Sequence, residues 1–167
     1  MPSDLLMKTT PVIEGESQDE KYPKAIEISS FSWGVNQEAS MQAGAGLVAG
    51  GAGFGHFTVQ KLLDKSSSKF YAHLCSGAEI QAVEVICRRP GEGDATATNN
   101  QQVEYLRYKF ERVQVVSFSS DGSAGSAIPS ETISMNFQKY TEAYKEMKEG
   151  HAQGVIQGAY DIKQNLK

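Results

Sequence analysis

Apolar and polar residues alternate along much of the chain, with the period of two that is typical of half-buried β-strands. The clearest stretches are 26–35, 56–63, 80–89, 104–119 and 133–137. Within them, every second residue is apolar, mostly Val, Ile or an aromatic residue. The pattern predicts a mainly β protein.

The alternation changes phase inside two of these stretches. Ile26 and Ile28 set one parity, and Phe31 then continues on the other, across Ser29 and Ser30. Stretch 104–119 behaves in the same way, because Leu106, Tyr108 and Phe110 share one parity, whereas Val113 and Val115 take the other. A phase change within a strand indicates a bulge or a bend, as at the corners of small barrels.

One short helix is predicted, at about residues 67–76. Phe70 and Leu74 are four residues apart, so they would lie on one helical face and contact a core. Gly77 follows at the position where a left-handed residue commonly ends a helix. At two to three turns, this helix would flank a sheet.

The Gly-rich segment 37–55 has no clear period, and the prediction is an irregular loop. It is too long for an ordinary hairpin turn, and long loops in compact domains commonly carry function. Its stretch 44–49 formally fits the dinucleotide-binding pattern G-x-G-x-x-A. That motif should follow a strand directly and open a helix, whereas here a polar spacer precedes it and further glycines follow.

Composition excludes several classes of protein. The 167 residues suit one domain, with 40% hydrophobic and 22% charged residues and a net charge of −4. This charge offers no electrostatic footprint for nucleic acid or for an anionic membrane. Because the first residues lack the charged and apolar regions of a signal peptide, and no apolar run is long enough to span a bilayer, we expect neither a cleaved leader nor membrane insertion.

The sequence offers no constellation for a metal, a cofactor or catalysis. Cys75 and Cys87 are the two cysteines, and both are interpreted as small buried hydrophobes. Neither a Gly-x-Ser-x-Gly elbow nor a phosphate-binding loop is present. We therefore expect no cofactor and no enzymatic activity.

The ordered series of motifs resembles the Hcp (haemolysin-coregulated protein) family, which forms the tube of the bacterial type VI secretion system. The resemblance rests on short segments spread in order over nearly the whole chain. They are 13–19, 26–28, 31–35, 64–69, 75–77, 102–106, 115–117, 122–125, 129–137 and 160–165.

This resemblance implies one compact β-barrel domain of two sheets over 1–167, with a short flanking helix and with 37–55 as a protruding Gly-rich loop. It further implies six-membered rings that stack into a tube, and export after folding in the cytoplasm. The partners would be other copies of the chain, sheath, baseplate and spike components, and small effectors in the lumen. The residues expected to contact the next ring are Gln37, Ser40, Met41, Gln42, Gly44 and Gly46.

Two other readings stay open at this point. A β-sandwich module that binds a carbohydrate or peptide ligand would be a monomer in solution, and a Ser-His-Asp triad could still assemble in space from His56, His73 or His151.

Overall fold

The computed structural model describes residues 4–42, 46–90, 102–148 and 151–163, and it confirms a mainly β protein with one helix. The strands are β1 Asp4–Thr10, β2 Ile26–Glu27, β3 Ser30–Ser32, β4 Val35–Gln42, β5 Gly46–Phe54, β6 Phe57–Leu62, β7 Glu79–Pro90, β8 Gln102–Asp121, β9 Ser130–Asn136, β10 Lys139–Lys148 and β11 His151–Asp161. The helix, α1, spans Ser67–Ser76, within the range predicted from the sequence.

The strands form two antiparallel sheets. The larger has the order β2-β1-β7-β8-β9-β6-β3, with β10 added on β8 and β11 on β10, and the smaller consists of β4 and β5. Because the end strands β2 and β3 do not pair with each other in this order, the ladder stays open and does not close into the barrel that the resemblance implied.

A single segment nevertheless crosses between the two edges of the large sheet. Its first part, β2, pairs with β1, and its second part, β3, pairs with β6. At the crossing, the backbone N–H of Ile28 donates to the oxygen of Leu5 (3.1 Å), and that of Ser29 donates to the oxygen of Gln60 (2.7 Å). The phase change across Ser29 is therefore the point where the chain stops pairing with β1 and begins to pair with β6.

The second predicted bend lies at Arg112, in the middle of the 20-residue strand β8. Arg112 has a φ of 55°, which is the left-handed region that non-glycine residues rarely adopt. On one flank, β8 pairs with β10 over 106–111 and then with β9 over 114–121, and the change of partner falls at Arg112. The inserted residue shifts the parity, so that Phe110 and Val113 are both fully buried in one core.

The main core lies between the bent strands and includes the apolar residues that alternate in β6, β7, β8 and β9. A smaller cluster on the outer face joins Leu6 and Ile86 to Tyr22 and Ala25 in the segment that follows β1. This segment approaches its own backbone closely, because a Cβ at Gly15 would collide with the carbonyl oxygen of Ala25.

Trp33 joins an aromatic group at the edge of the core. Its ring lies 5.7 Å from Tyr108, 5.9 Å from Phe110 and 4.7 Å from Tyr140, between ring centroids. These contacts show that this tryptophan packs against the edge of the core.

The helix packs on the sheet through Phe70, which is fully buried, and through the partly buried Leu74. Gly77 ends the helix with a φ of 67°, and its N–H donates to the oxygen of Leu74. The C-terminal stop predicted from the sequence is therefore confirmed.

The N-terminal end of α1 is held by a buried ammonium group. Lys61 on β6 is fully buried, and its Nζ donates to Glu131 of β9 (2.9 Å), Asp64 (2.8 Å) and Ser67 (3.0 Å). The Ser67 hydroxyl also donates to the Glu131 carboxylate (2.6 Å). One cation thus ties two neighbouring strands to the first turn of the helix, with its donors satisfied.

The prediction of an irregular loop over 37–55 was wrong. This segment contains most of β4 and β5, which pair antiparallel with a register shift between Gln37 and Ala39. Small side chains do not prevent the backbone from forming a ladder, although Gly and Ala weaken the sequence signal for a strand. At Gly53 the pairing brings the side-chain oxygen of Asn36 within 3.1 Å of where a Cβ would lie.

We predict that the bend in β8 depends on the backbone conformation of Arg112. Arg112→Gly should change the free energy of unfolding by less than about 1 kcal/mol, because relief of the left-handed strain offsets the added freedom of the unfolded chain. Arg112→Val should be less stable than Arg112→Gly by about 1–2 kcal/mol, since a β-branched residue is least tolerant of this φ.

Urea unfolding monitored by circular dichroism would measure both variants. Ser119→Val is the matched control, because Ser119 is an exposed residue in the extended part of β8 and its replacement should change stability by less than about 0.5 kcal/mol. Equal stability of the Gly and Val variants at 112 would contradict the strained bend.

We further predict that Lys61→Met lowers the free energy of unfolding by about 3–5 kcal/mol, because it leaves the Glu131 carboxylate buried without its cation. The double variant Lys61→Met, Glu131→Leu should recover at least half of this loss, since neither charge then remains buried. Lys65→Met, which removes an exposed ion pair with Glu14, should cost less than about 1 kcal/mol. A loss for Lys61→Met no greater than that of Lys65→Met would show that the buried pair does not hold the helix.

Candidate assembly surfaces

Strand β11 is an open edge of the large sheet. Among the described strands it pairs with β10 alone, so one side of its backbone has no ladder partner there. Val155 and Ile156 are 50% and 63% exposed on this strand. A long edge strand with exposed apolar residues is a template for pairing with another chain, and proteins usually cover or charge such an edge.

The two faces of the β10–β11 hairpin differ in charge. Lys145 lies directly opposite Val155, and Tyr144 lies directly opposite Ile156. Since side chains alternate between faces, the first pair forms a basic and apolar face. The second pair shares its face with Glu142, two residues before Tyr144.

The β4–β5 hairpin carries the residues that the resemblance assigned to ring stacking. Gln37, Ser40, Met41 and Gln42 lie on β4, and Gly46 lies on β5, where Gln42 and Gly46 are opposite each other. Gly44 falls outside the described residues. The structure thus brings the five described positions onto one hairpin, and their contact with another ring remains a prediction.

The base of this hairpin is anchored on the other one through aromatic rings. Phe54, the last residue of β5, stacks on Tyr160 of β11 with centroids 5.3 Å apart and an angle of 27° between the rings. It also approaches Phe137 at 6.2 Å and Tyr140 at 6.1 Å. The N–H of Gly55 donates to the oxygen of Gly34 (2.9 Å) and closes the base.

A groove of about 310 Å³ lies at the far end of the large sheet, where β6 ends. Leu62, Leu63 and Ile128 line it and are each nearly half exposed. Glu16 and Glu27 also line it. The groove therefore combines an apolar floor with an acidic rim.

Two clusters of charged groups hold the segment that follows β1 against the sheet. Arg88 of β7 donates to Asp19 (2.7 Å) and to Asp4 (3.0 Å), and the Arg88 hydrogen bond lowers the pKa of the Asp19 carboxyl. Burial opposes ionisation of Glu104, but hydrogen bonds from Arg107 and Tyr22 outweigh this effect and lower its pKa. Both carboxylates are thus ionised partners of arginine that fasten a covering segment, which is a structural role.

The two cysteines lie in different environments. Cys87 is buried in the core, and burial raises the pKa of its thiol to about 11, so it is a poor nucleophile at neutral pH. Cys75 is exposed on α1, and the prediction that it is buried was wrong. The helix turns Phe70 and Leu74 inward, which leaves Cys75 on the solvent side.

The described residues offer no group of three or more His, Cys, Asp or Glu side chains placed to hold a metal ion. In the same part of the chain, no helix has the length and apolar character needed to cross a bilayer.

Sequence reasoning did not identify the open edge of β11 or the groove at the end of β6. The adjacent pair Val155 and Ile156 was a signal for a contact surface on this strand, because apolar residues on both parities need cover on both faces, but it does not show which edge stays unpaired. The groove left no such signal, since its lining comes from four separate parts of the chain.

Comparisons with known proteins match one protein family over most of the chain. The family model for "Type VI secretion system effector, Hcp" matches residues 6–144. The chain is 29% identical over 169 residues to Protein hcp1 of Pseudomonas aeruginosa, which covers 100% of this chain and 99% of that protein.

Solved structures agree with this match. A type six secretion system protein superposes with a TM-score of 0.87 at 28% identity, covering 99% of both chains. A type VI secretion system effector from Yersinia pestis superposes with a TM-score of 0.72 at 26% identity, covering 95% of this chain and 99% of that one.

Proposed function

The chain belongs to the Hcp family of type VI secretion proteins, and we propose that it is a structural subunit of the secretion tube, which forms rings of six copies that stack on one another. Its role in this proposal is mechanical, without catalysis and without a cofactor. The observation that carries it is the edge of β11, which no other described strand than β10 pairs with and which exposes Val155 and Ile156.

An uncovered edge favours association between copies of one chain. The backbone groups along β11 lose hydrogen bonds to water when they are buried, and hydrogen bonds to the backbone of a neighbouring copy compensate for that loss. Contact between two different surfaces of identical subunits is heterologous, and it produces a closed ring when the rotation between neighbours divides a full turn. Family membership supports six as the number of copies.

Stacking of the rings is assigned to the β4–β5 hairpin, with contacts from Gln37, Ser40, Met41, Gln42, Gly44 and Gly46. This hairpin forms a separate two-stranded sheet, so the ladder of the large sheet does not depend on it. An isolated two-stranded hairpin has marginal stability by itself, and contact with a neighbouring ring would supply further burial.

The remaining partners are inferred from the family. The stacked rings would lie inside a sheath, meet baseplate and spike components at one end, and carry small effectors in the lumen. The subunit would fold in the cytoplasm and leave the cell through the secretion machine without a cleaved signal peptide.

We predict that the purified chain forms rings of about six times the 18.2 kDa of one copy. Light scattering coupled to size exclusion at micromolar concentration would give the mass, and negative-stain electron microscopy would show the ring and its symmetry. A monomer at every concentration up to the millimolar range would contradict the ring and favour a ligand-binding module.

We predict that deletion of 43–53 abolishes stacking and export but leaves the rings intact. The large sheet makes no ladder with the β4–β5 hairpin, and Phe54 remains to close the base. Circular dichroism and light scattering check that the fold and the ring persist, and electron microscopy and a secretion assay measure the loss. Normal tubes and normal export from the deleted chain would refute a stacking role, and rings that fall apart would place the hairpin in the ring interface instead.

A further inference from the structure

We propose that the basic and apolar face of the β10–β11 hairpin, formed by Lys145 and Val155, seats in the acidic-rimmed groove at Leu62, Leu63 and Ile128 of the next copy. This inference presupposes the ring assembly proposed above and names the two surfaces that meet in it. It pairs Lys145 of one copy with Glu27 of its neighbour.

The two surfaces have complementary chemistry. Leu62, Leu63 and Ile128 are 49%, 49% and 45% exposed, which is unusual for three large apolar residues that share one groove. Val155, at 50% exposed, supplies an apolar side chain to cover them. Burial of these four side chains against each other removes apolar surface from water at both sites.

Charge complementarity favours Lys145 on the hairpin as the partner of the acidic groove. The carboxylate of Glu27 has no hydrogen bond or ion pair with a described residue, and the same holds for the ammonium of Lys145. Within one copy, Lys145 acts only at a distance, where it helps to lower the pKa of Glu104. Across two copies, the two unpaired charges would satisfy each other.

Charge also decides which face of the hairpin enters the groove. The opposite face carries Tyr144 and Ile156 together with Glu142. A carboxylate beside Glu16 and Glu27 would place like charges next to each other, which disfavours that orientation. Next to Lys145 and Val155, the residues on the same face are Ala143 and Gln157, and the acidic Asp161 of this face lies opposite Lys139 at the other end of the hairpin.

The positions of the two surfaces prevent a copy from filling its own groove. Tyr144 pairs with Leu106 near the start of β8, whereas Leu62 pairs with Ser130, which pairs with Asp121 at the end of β8. At about 3.3 Å per residue, Leu106 and Asp121 are separated by about 50 Å along the strand, a path that the bend at Arg112 shortens. Glu27, on the rim of the groove, is in register with Ala143 of the hairpin through Leu6, Ile86 and Arg107, which is four strand spacings or about 19 Å across the sheet. The hairpin and the groove are thus too far apart to meet within one copy, so a contact between them joins two copies and is heterologous.

Charge exchange between the two positions tests the pairing in the full-length chain. Lys145→Glu and Glu27→Lys should each raise the concentration at half assembly by at least about 10-fold, because each places like charges across the contact. The double variant Lys145→Glu, Glu27→Lys should assemble within about 3-fold of the wild type, since the salt bridge is restored with its charges reversed. Light scattering over a dilution series measures all four proteins, and high salt should shrink the defect of the single variants.

Lys69→Glu on α1 and Glu20→Lys in the covering segment are the matched controls, because both residues are exposed and lie outside the two surfaces. They should assemble like the wild type, and thermal unfolding should confirm that every variant folds. If Lys145→Glu or Glu27→Lys assembles normally while the wild type forms rings, the pairing is wrong and the proposed function stands. If the single variants fail and the double variant fails equally, the two residues do not meet. If the wild type itself stays monomeric, the proposed function and this inference both fall.

Discussion

The fold depends on one constraint: the 20-residue strand β8 must direct apolar side chains into a single core on both sides of its bend. A straight strand of that length would carry its apolar face past the core, because side chains keep their parity along regular β-structure. The left-handed residue Arg112 changes the parity and lets Phe110 and Val113 face the same core. The exchange of β10 for β9 on the flank of β8 falls at the same residue, so the topology follows from the bend.

The segment 26–32 makes the second change of phase, where one piece of chain pairs with two separate strands of the large sheet. It pairs with β1 through β2 and with β6 through β3, and it changes edge between Ile28 and Ser29. Backbone hydrogen bonds at those two residues hold both edge strands, although β2 and β3 do not pair with each other. Two local changes of phase therefore wrap an open sheet around one core, and the buried Lys61 fixes the helix on its flank.

This arrangement leaves exposed apolar side chains and unpaired backbone groups at the periphery of the described structure. The β11 edge, the β4–β5 hairpin and the groove at Leu62 and Leu63 all expose groups that a globular monomer would normally cover or charge. In the proposed ring, other copies of the chain would complete the burial of these surfaces. The clusters around Asp19 and Glu104 are, in contrast, satisfied within the chain, and they stabilise the scaffold that presents the surfaces.

The sequence by itself determined the elements whose signals are local. The strands around Val59, Val85 and Ile133, the helix at 67–76 with its stop at Gly77, and both phase changes were readable because periodicity and turn chemistry act over a few residues. The tertiary structure alone decided the pairing of β4 with β5, since a Gly-rich strand gains its order from a ladder and carries little propensity of its own. It also decided the exposure of Cys75 and the assembly of the groove from four separate segments, because those features depend on which distant parts of the chain meet in space.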